Sequence, residues 1–487
     1  MRTVYIRELS FHTPSSLRRL LHVESDKVMH CIRLLCARGI LKLCTNNDKK
    51  EYDTPYSGGV RGNYQFIYVG LILMNDICII VYPKYLPEIS ADSPEDELHR
   101  TMRQIFRVLR KSGGSYSNIA GIEKEGAKTN DRLALMLMLL EKHDEYGVYS
   151  NYMKTYADNG SGDISWERTI ATCSPFASNG RPIYAEYKTV ETDQDAADFV
   201  MRLHRAVLTE CSSFMQESGL ASLLGLDEVW LTDTTVDDFG DSDYVVYRLE
   251  QERGVQFVTW KQEVIDLLIR YVNENGSFTR EEFPLCLGTS CFYHVWEEAC
   301  KVAFDDALNK RLYDLGVELL EPFAQMGNVR LIDIIPKPKW SVPTDDGEQS
   351  CGDVATLRPD TVLLHHDGAG DNLFAILDAK YYTPSLGSDV AGVPGVESVT
   401  KQFLYQSAFR LFVSLHGYTR VVNAFLVPSA KQDIEHIGRV RFPDVIPLEV
   451  EPLSNVIEMY ALPAQMVFEA YLTNTMLDTN ELLKILN

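Results

Sequence analysis

Two acidic residues and a lysine in the last third of the chain have a spacing that could support chemistry. Asp360 follows Arg358 and Pro359 at the start of the strand-like segment TVLLHH, and Asp378 and Lys380 follow the apolar run LFAIL. A turn rich in Gly and Asp, DGAGD, separates the two segments, which predicts a β-hairpin. Residues two apart in a strand point to the same face, so Asp378 and Lys380 should project together. Pairing of the hairpin strands should bring Asp360 next to them. We therefore expect the three side chains to project together.

Two carboxylates and a lysine at the end of a buried strand are costly unless they bind something. Hydrolysis of a phosphodiester needs a divalent ion at the scissile phosphate. Mg²⁺ takes hard oxygen ligands from one or two carboxylates, and a nearby lysine can orient or deprotonate the attacking water. The pattern therefore predicts a DNA-cleaving nuclease, with Asp360 and Asp378 as metal ligands and Lys380 beside the water. The structural alternative is an Asp/Lys ion pair on a hairpin.

An acidic residue two positions before a lysine is by itself unspecific. The segment Glu186–Lys188 carries the same spacing on a strand-like stretch, but it lacks a tight hairpin and a convincing glutamate on a preceding helix. The segment ending at Lys380 has both, because a helix predicted from Ser290 to Leu315 carries Glu297 and Glu298. The whole combination is much rarer than the spacing alone.

The elements around the hairpin predict a mixed α/β core. The predicted helix comes first, then the strand-like segment VRLIDIIPKPKW, the hairpin, a helix over about 399–416, and the strand RVVNAFLVPS. This order predicts one domain over residues 276–455, a mixed sheet flanked by helices. Residues 456–487 are expected to form a C-terminal helical tail.

The N-terminal part predicts smaller α+β units. Over residues 1–60, a short helix, a second helix ended by Gly39, and a strand resemble a winged helix. Lys27, Arg33 and Arg38 on the second helix favour DNA contact, and packing or protein docking is the equal alternative. Residues 61–275 mix helices and strands and are expected to form an α+β adaptor region that docks a partner.

The composition limits the class of protein. A chain of 487 residues predicts two to four domains. Residues 66–82, the best candidate for a membrane span, are better explained as two strands and a turn, and the N-terminus lacks the apolar block of a signal peptide, so a cytoplasmic location without membrane contact is expected. A net charge of −22 argues against a surface that binds nucleic acid throughout, so positive charge must be local or come from a partner.

The core order resembles the PD-(D/E)xK nuclease superfamily. The resemblance implies that a glutamate of the preceding helix joins the site, Glu297 first and Glu298 as the fallback, and that the carbonyl of Ala379 is a further ligand of Mg²⁺, or of Mn²⁺ in its place. The following helix supplies supporting residues in that family. The residues that match it in kind are Gln402, Tyr405 and Gln406, although Arg410, four residues after Gln406, departs from the common QxxxY form.

The whole chain is similar to McrC-type subunits of restriction systems, and most of all to the LlaJI restriction endonuclease family. The segments that carry this resemblance are YIRELSFHTPSSLRRLL, IIVYPKY, SWERTI, VWEEAC, ILDAKYY and KQFLYQSAF. It implies a phage-defence nuclease subunit that acts on double-stranded DNA with a McrB-like AAA+ GTPase hexamer and stimulates its hydrolysis. The sequence contains no GxxxxGK[ST] motif, so no nucleotide is expected on this chain. The alternatives are a non-catalytic activator of the motor and a stand-alone repair nuclease.

Overall fold

The computed structural model describes residues 2–44, 63–74, 77–88, 95–113, 132–194, 198–275, 285–344, 347–353, 355–366, 372–443 and 453–486. The chain forms two compact units. The first combines Met1–Ala120 with Glu281–Asn487, and the second is Gly121–Arg280.

The strands within the described residues follow in chain order. They are β1 (Arg2–Arg7), β2 (Phe11–His12), β3 (Leu41–Leu43), β4 (Tyr64–Phe66), β5 (Val69–Met74), β6 (Ile77–Tyr82), β7 (Tyr152–Asp158), β8 (Asp163–Ile164), β9 (Phe176–Ser178), β10 (Arg181–Ile183), β11 (Lys188–Gln194), β12 (Leu285–Thr289), β13 (Lys339–Thr344), β14 (Gly347–Asp353), β15 (Thr361–His366), β16 (Asn372–Ala379), β17 (Ser385–Leu386), β18 (Val390–Ala391), β19 (Arg420–Ser429), β20 (Glu435–Arg441) and β21 (Val456–Pro463).

The α-helices of the same residues are numbered likewise. They are α1 (Pro14–Leu21), α2 (Val28–Ala37), α3 (Glu95–Gly113), α4 (Arg132–Tyr146), α5 (Trp166–Thr172), α6 (Phe199–Glu217), α7 (Leu220–Leu224), α8 (Ser242–Val255), α9 (Thr259–Asn275), α10 (Phe292–Ala303), α11 (Val396–Leu415), α12 (Ala464–Thr473) and α13 (Thr479–Leu486). No helix of the described residues is both long and apolar enough to cross a membrane.

Two small sheets organise the N-terminal part of the first unit. One has the order β1-β6-β5-β12, with β1 parallel to β6 and the other pairs antiparallel. Its strands β5 and β6 are fully buried and lie in the stretch 66–82, which was predicted as two strands and a turn. The other sheet, β2-β4-β3, shares an apolar core with α1 and α2 that includes Leu17, Ile32 and Leu35.

A five-stranded mixed sheet forms the C-terminal part of the same unit, in the order β15-β16-β19-β21-β20. β15 is antiparallel to β16, whereas β19 runs parallel to both β16 and β21. Helix α11 covers one face, where Phe374 and Ile376 of β16 pack with Phe409 and Phe412. Helix α10 also packs on β16 and on α12. A sheet flanked by helices was predicted, and β16 is an inner strand of the observed sheet, between β15 and β19.

The second unit is a helical core with small sheets. Helices α4, α6, α8 and α9 pack together around residues such as Leu203 and Val207, both of which are completely buried. The sheet β7-β11-β8 and the pair β9-β10 complete it.

Several predicted boundaries in the C-terminal part differ from the structure. The helix predicted to run to Leu315 ends at Ala303. In the segment predicted as one strand, Leu331–Ile334 is a 3₁₀ helix that buries Leu331 and Ile332, and a strand begins only at Lys339. The apolar residues of that segment have a helical rather than an alternating spacing, which explains the difference.

Two strands also cross the predicted domain limits. β21 is an apolar, almost wholly buried strand between β19 and β20, so the sheet continues beyond residue 455 into the predicted helical tail. β12 pairs with β5 of the N-terminal sheet instead of joining the C-terminal one. Both pairings join segments that are distant in the sequence, which local patterns do not encode.

Candidate active site

The hairpin β15–β16 brings the two predicted aspartates together. Thr361 pairs with Leu377, and continuing this antiparallel register by one residue sets Asp360 opposite Asp378. The Ala379 amide donates a hydrogen bond to Asp360 Oδ2 at 3.1 Å. The predicted turn, residues 367–371, lies outside the described residues. The strand register and the hydrogen bond from Ala379 to Asp360 thus hold the two acids together.

Lys380 completes the cluster at the end of β16. Its Nζ lies 2.9 Å from Asp378 Oδ2, and the side chain of Asp378 is only 8% exposed. The backbone amide of Lys380 donates to the carbonyl of Leu426 on β19 at 2.9 Å. The lysine is thus held at the last hydrogen bond that joins its strand to the neighbouring one.

The site is electrostatically unfavourable for two charged acids. Burial, the hydrogen bond with Asp378, the charge of Asp378 and that of Glu297 raise the pKa of Asp360 far above the usual value for an aspartate. Burial alone would lower the pKa of Lys380, but the adjacent carboxylate of Asp378 outweighs burial and raises it. The cluster therefore holds a protonated lysine and favours the protonated form of Asp360.

Helix α10 presents its two glutamates to different surroundings. Glu297 accepts a hydrogen bond from Lys301 at 2.5 Å and lies 3.7 Å from His294 Nδ1, and its charge contributes to the raised pKa of Asp360. Glu298 instead accepts hydrogen bonds from Ser112 and Tyr471, on α3 and α12. Of the two glutamates, Glu297 is the one whose charge contributes to the raised pKa of Asp360.

The described residues contain no group of three or more His, Cys, Asp or Glu side chains close enough together to hold a metal ion. Glu297 is within electrostatic range of the aspartates, but its carboxylate is bonded to Lys301. The pair Asp360 and Asp378 thus supplies two side-chain carboxylates, and the backbone of Ala379 lies beside them.

The three residues predicted on α11 divide into two kinds. Tyr405 lies close enough to the acids to feel their charge. Burial and then the charges of Asp378 and Asp360 raise its pKa to about 12. The amide of Gln402 donates to backbone carbonyls of β16 and β19, at 3.2 and 3.4 Å. Gln406 accepts from Asn423 Nδ2 at 2.9 Å, so both glutamines attach the helix to the sheet.

The basic residues predicted to contact DNA lie on separate elements. Lys27 precedes α2, Arg33 lies on it, and both are exposed, whereas Arg38 at its end is half-buried. Arg358 is exposed in the segment that leads into β15, two residues before Asp360. Only Arg358 is close in sequence to the acid pair.

Asp306 is a residue that sequence reasoning missed. Its Oδ1 accepts hydrogen bonds from the amides of Val362, at 3.0 Å, and Leu308, at 3.2 Å. It therefore fixes the start of β15, the strand that follows Asp360. Its position shortly after the end of α10, beside a second aspartate, was the available signal.

Comparisons with known proteins identify the family. The family model described as LlaJI restriction endonuclease matches residues 68–319 and 325–460, more than three quarters of the chain. The chain is 25% identical over 442 residues to the type II restriction enzyme BsuMI component YdjA of Bacillus subtilis (strain 168), covering 88% of this chain and 84% of that protein.

Two solved structures show a weaker likeness. One is a chain of the half-complex refined from the tetradecameric assembly of Thermococcus gammatolerans McrB AAA+ hexamers with bound McrC, with a TM-score of 0.34 and 12% identity over 97% of this chain and 99% of that one. The other belongs to the cryo-EM structure of the McrBC complex of the same organism, with a TM-score of 0.22 and 12% identity over 56% and 86%. The family match, which spans the hairpin and both helices beside it, shows that this chain belongs to the LlaJI restriction endonuclease family.

Proposed function

We propose that this member of a restriction endonuclease family is a Mg²⁺-dependent endonuclease subunit that hydrolyses DNA phosphodiester bonds within a restriction complex. The observation that carries the proposal is the pair Asp360 and Asp378 with Lys380, partly or fully buried at the end of an inner strand. A helix, a hairpin, a second helix and a parallel strand surround the pair in that order. This order supports a PD-(D/E)xK core, and the helices α1 and α2 with their small sheet support a winged-helix-like unit.

The residues of the pair fit a divalent cation. Two carboxylates meet and one of them contacts a lysine, and burial together with nearby negative charge raises the pKa of Asp360. Mg²⁺ takes one or two carboxylates and keeps several waters, so this pair is sufficient to bind it. We assign Asp360, Asp378 and the carbonyl of Ala379 as ligands, with Glu297 as a further carboxylate that acts directly or through water. Mn²⁺ would substitute for Mg²⁺.

Each residue of the cluster has a separate role in this proposal. The bound ion would neutralise charge on the phosphate and acidify a water molecule. Lys380, protonated beside Asp378, donates hydrogen bonds that hold the phosphate and orient the water. Tyr405 keeps its proton at neutral pH and serves as a hydrogen-bond donor toward the acids. Arg358, which is exposed two residues before Asp360, would contact the DNA backbone.

We also propose a motor partner, a McrB-like AAA+ GTPase hexamer whose hydrolysis this chain stimulates. The support comes from the sequence: a net charge of −22 is unfavourable for binding DNA alone, and no phosphate-binding loop motif occurs. Residues 61–275 would dock on the motor. Lys27, Arg33 and Arg38 would contact either DNA or that partner.

The test is a DNA cleavage assay of the full chain, co-purified with the nucleotide-hydrolysing protein of the neighbouring gene, in the presence of nucleotide and Mg²⁺. Lys380→Ala should lower cleavage at least about 100-fold, because it removes a positioned proton donor. Lys484→Ala is the matched control, since Lys484 lies outside the proposed site and the proposed docking region and forms a surface ion pair with Glu481. It should cleave within about twofold of the wild type.

The outcomes separate the proposed function from its rivals. Equal cleavage by Lys380→Ala and the wild type would exclude this site. A wild-type complex that hydrolyses nucleotide but never cuts DNA would identify an adaptor, and cleavage that needs no partner would identify a stand-alone nuclease.

A further inference from the structure

Tyr381, the residue after Lys380, is anchored in a polar cluster that the proposed chemistry does not use. The Tyr381 hydroxyl donates a hydrogen bond to Glu8 Oε2 at 2.5 Å, although the two residues are 373 positions apart in the chain. Glu8 follows β1, so the bond joins the end of β16 to the edge of the N-terminal sheet.

The partners of Tyr381 are themselves fixed. Glu8 Oε2 also accepts from the backbone amide of Lys84 at 3.0 Å, and Arg7 Nε donates to the carbonyl of Lys84 at 3.0 Å. The Lys84 ammonium lies 4.5 Å from the centre of the Tyr381 ring. The segments IIVYPKY and ILDAKYY, which are far apart in the sequence, thus meet in this cluster.

Aromatic packing holds the Tyr381 ring from the other side. Its centroid lies 5.3 Å from that of Phe292, the first residue of α10, and 6.4 Å from that of Tyr85. Tyr381 is only 7% exposed. The residue is therefore enclosed between the helix that carries Glu297 and the end of the N-terminal sheet.

The position of this anchor matters because the sheet ends here. The amide of Lys380 makes the last hydrogen bond to β19, and residues 380–384 have no regular structure. Strand ends open locally unless something beyond them is tied down. The sheet fixes Lys380 on its N-terminal side, and the Tyr381 anchor holds the chain on the other side.

We propose that Tyr381 is a positioning residue for Lys380, and that its hydrogen bond to Glu8 makes the N-terminal sheet part of the support of the active site. The inference rests on the proposed nuclease function. It assigns a task to the N-terminal sheet: a shift of the ends of β1 and β6 would move the strand end that holds the ammonium beside Asp378.

The first test is a double-mutant cycle in the complex with its partner, under single-turnover conditions at saturating DNA and Mg²⁺. Tyr381→Phe keeps the ring and removes the hydroxyl, and it should slow cleavage about tenfold with DNA affinity unchanged, since small displacements of catalytic groups cost up to about 100-fold. Glu8→Ala should have a similar effect, and the double variant should lose little more. Glu8→Gln, which keeps an acceptor, should recover most of the rate. Tyr313→Phe, at a tyrosine 64% exposed, is the matched control.

The second test is hydrogen exchange of the metal-free chain. Tyr381→Phe should speed exchange of the Lys380 amide and leave the amides of Phe374 to Leu377 protected. A purely structural role would instead raise exchange along the whole of β16. Unchanged exchange at Lys380 would overturn the proposal, as would wild-type cleavage by Tyr381→Phe.

The two tests also keep this proposal distinct from the proposed function. If Lys380→Ala cleaves like the wild type, the nuclease site is wrong whatever Tyr381 does. If Lys380→Ala is inactive and Tyr381→Phe is normal in both measurements, only the positioning role fails.

Discussion

Replacement of Asp360 by asparagine should stabilise the metal-free protein, even though we expect the same change to abolish the proposed cleavage. Asp360 accepts a hydrogen bond from the Ala379 amide and lies against Asp378. Burial and that neighbour raise its pKa from 3.8 to about 8, so the folded protein favours the protonated acid. Asparagine imitates this form, because its carbonyl can accept from Ala379 and its amide can donate to Asp378.

The sign and size of the effect follow from the pKa difference. A folded-state pKa above the unfolded one contributes stability that is complete below about pH 4 and is lost as the pH rises to about 8. At about 1.4 kcal/mol per unit, the difference gives an upper bound of about 6 kcal/mol. Asp360 keeps some access to water, which screens its charge and reduces this bound. We therefore expect Asp360→Asn to gain about 2–3 kcal/mol over the wild type near pH 8.

The measurement is urea denaturation of the full chain in the presence of a chelator, at several pH values between about 4 and about 8. This range spans the pKa of Asp360 in the unfolded and in the folded state. The advantage of Asp360→Asn should grow across this window. The control is Asp305→Asn, at an exposed residue paired with Lys310, which should differ from the wild type by less than about 1 kcal/mol at every pH. An Asp360→Asn protein that is less stable than the wild type near pH 8, or an advantage independent of pH, would refute the reasoning.

Two further predictions concern the same cluster. Excess Mg²⁺ should raise the midpoint of thermal unfolding of the wild type but not that of Asp378→Ala, because a ligand stabilises only the state that binds it. Equal shifts of the two midpoints would contradict a Mg²⁺ site at Asp360 and Asp378. Asp306→Ala removes the acceptor of the Val362 and Leu308 amides, and it should lower the free energy of unfolding in urea by about 1–3 kcal/mol. The control is Asp305→Asn, and a loss no larger than that of the control would show that other contacts fix the start of β15.

The hairpin could be predicted because its signals are local. Alternating and continuous apolar residues, with a turn rich in Gly and Asp between them, determine both strands and their direction. Once the strands are antiparallel, the spacing of Asp360, Asp378 and Lys380 is enough to bring the side chains together. The same reasoning gave β19 with its observed limits.

The rest of the site depends on contacts between distant segments. The sequence could not separate Glu297 from Glu298, because adjacent helical residues differ only in which neighbour each one faces. Lys301 is bonded to one glutamate, and Ser112 and Tyr471 to the other. Gln402 and Gln406 of α11 were predicted only because their residue types match those of the nuclease family. Their hydrogen bonds to backbone atoms of β16, β19 and the segment before β21 depend on the final packing.

The carbonyl of Leu426 shows how the acid pair is kept in place despite its repulsion. It accepts from the Lys380 amide at 2.9 Å and from the indole Nε1 of Trp296 at 3.1 Å. Trp296 is completely buried and directly precedes Glu297. One backbone oxygen therefore ties the strand end that carries the lysine to the helix that carries the glutamate. Above about pH 8, where Asp360 is also charged, the two carboxylates repel each other and would move apart on a loose frame. Here the sheet, α10 and the Tyr381 anchor oppose that movement, and the resulting unfavourable arrangement of charge is what a divalent cation would relieve.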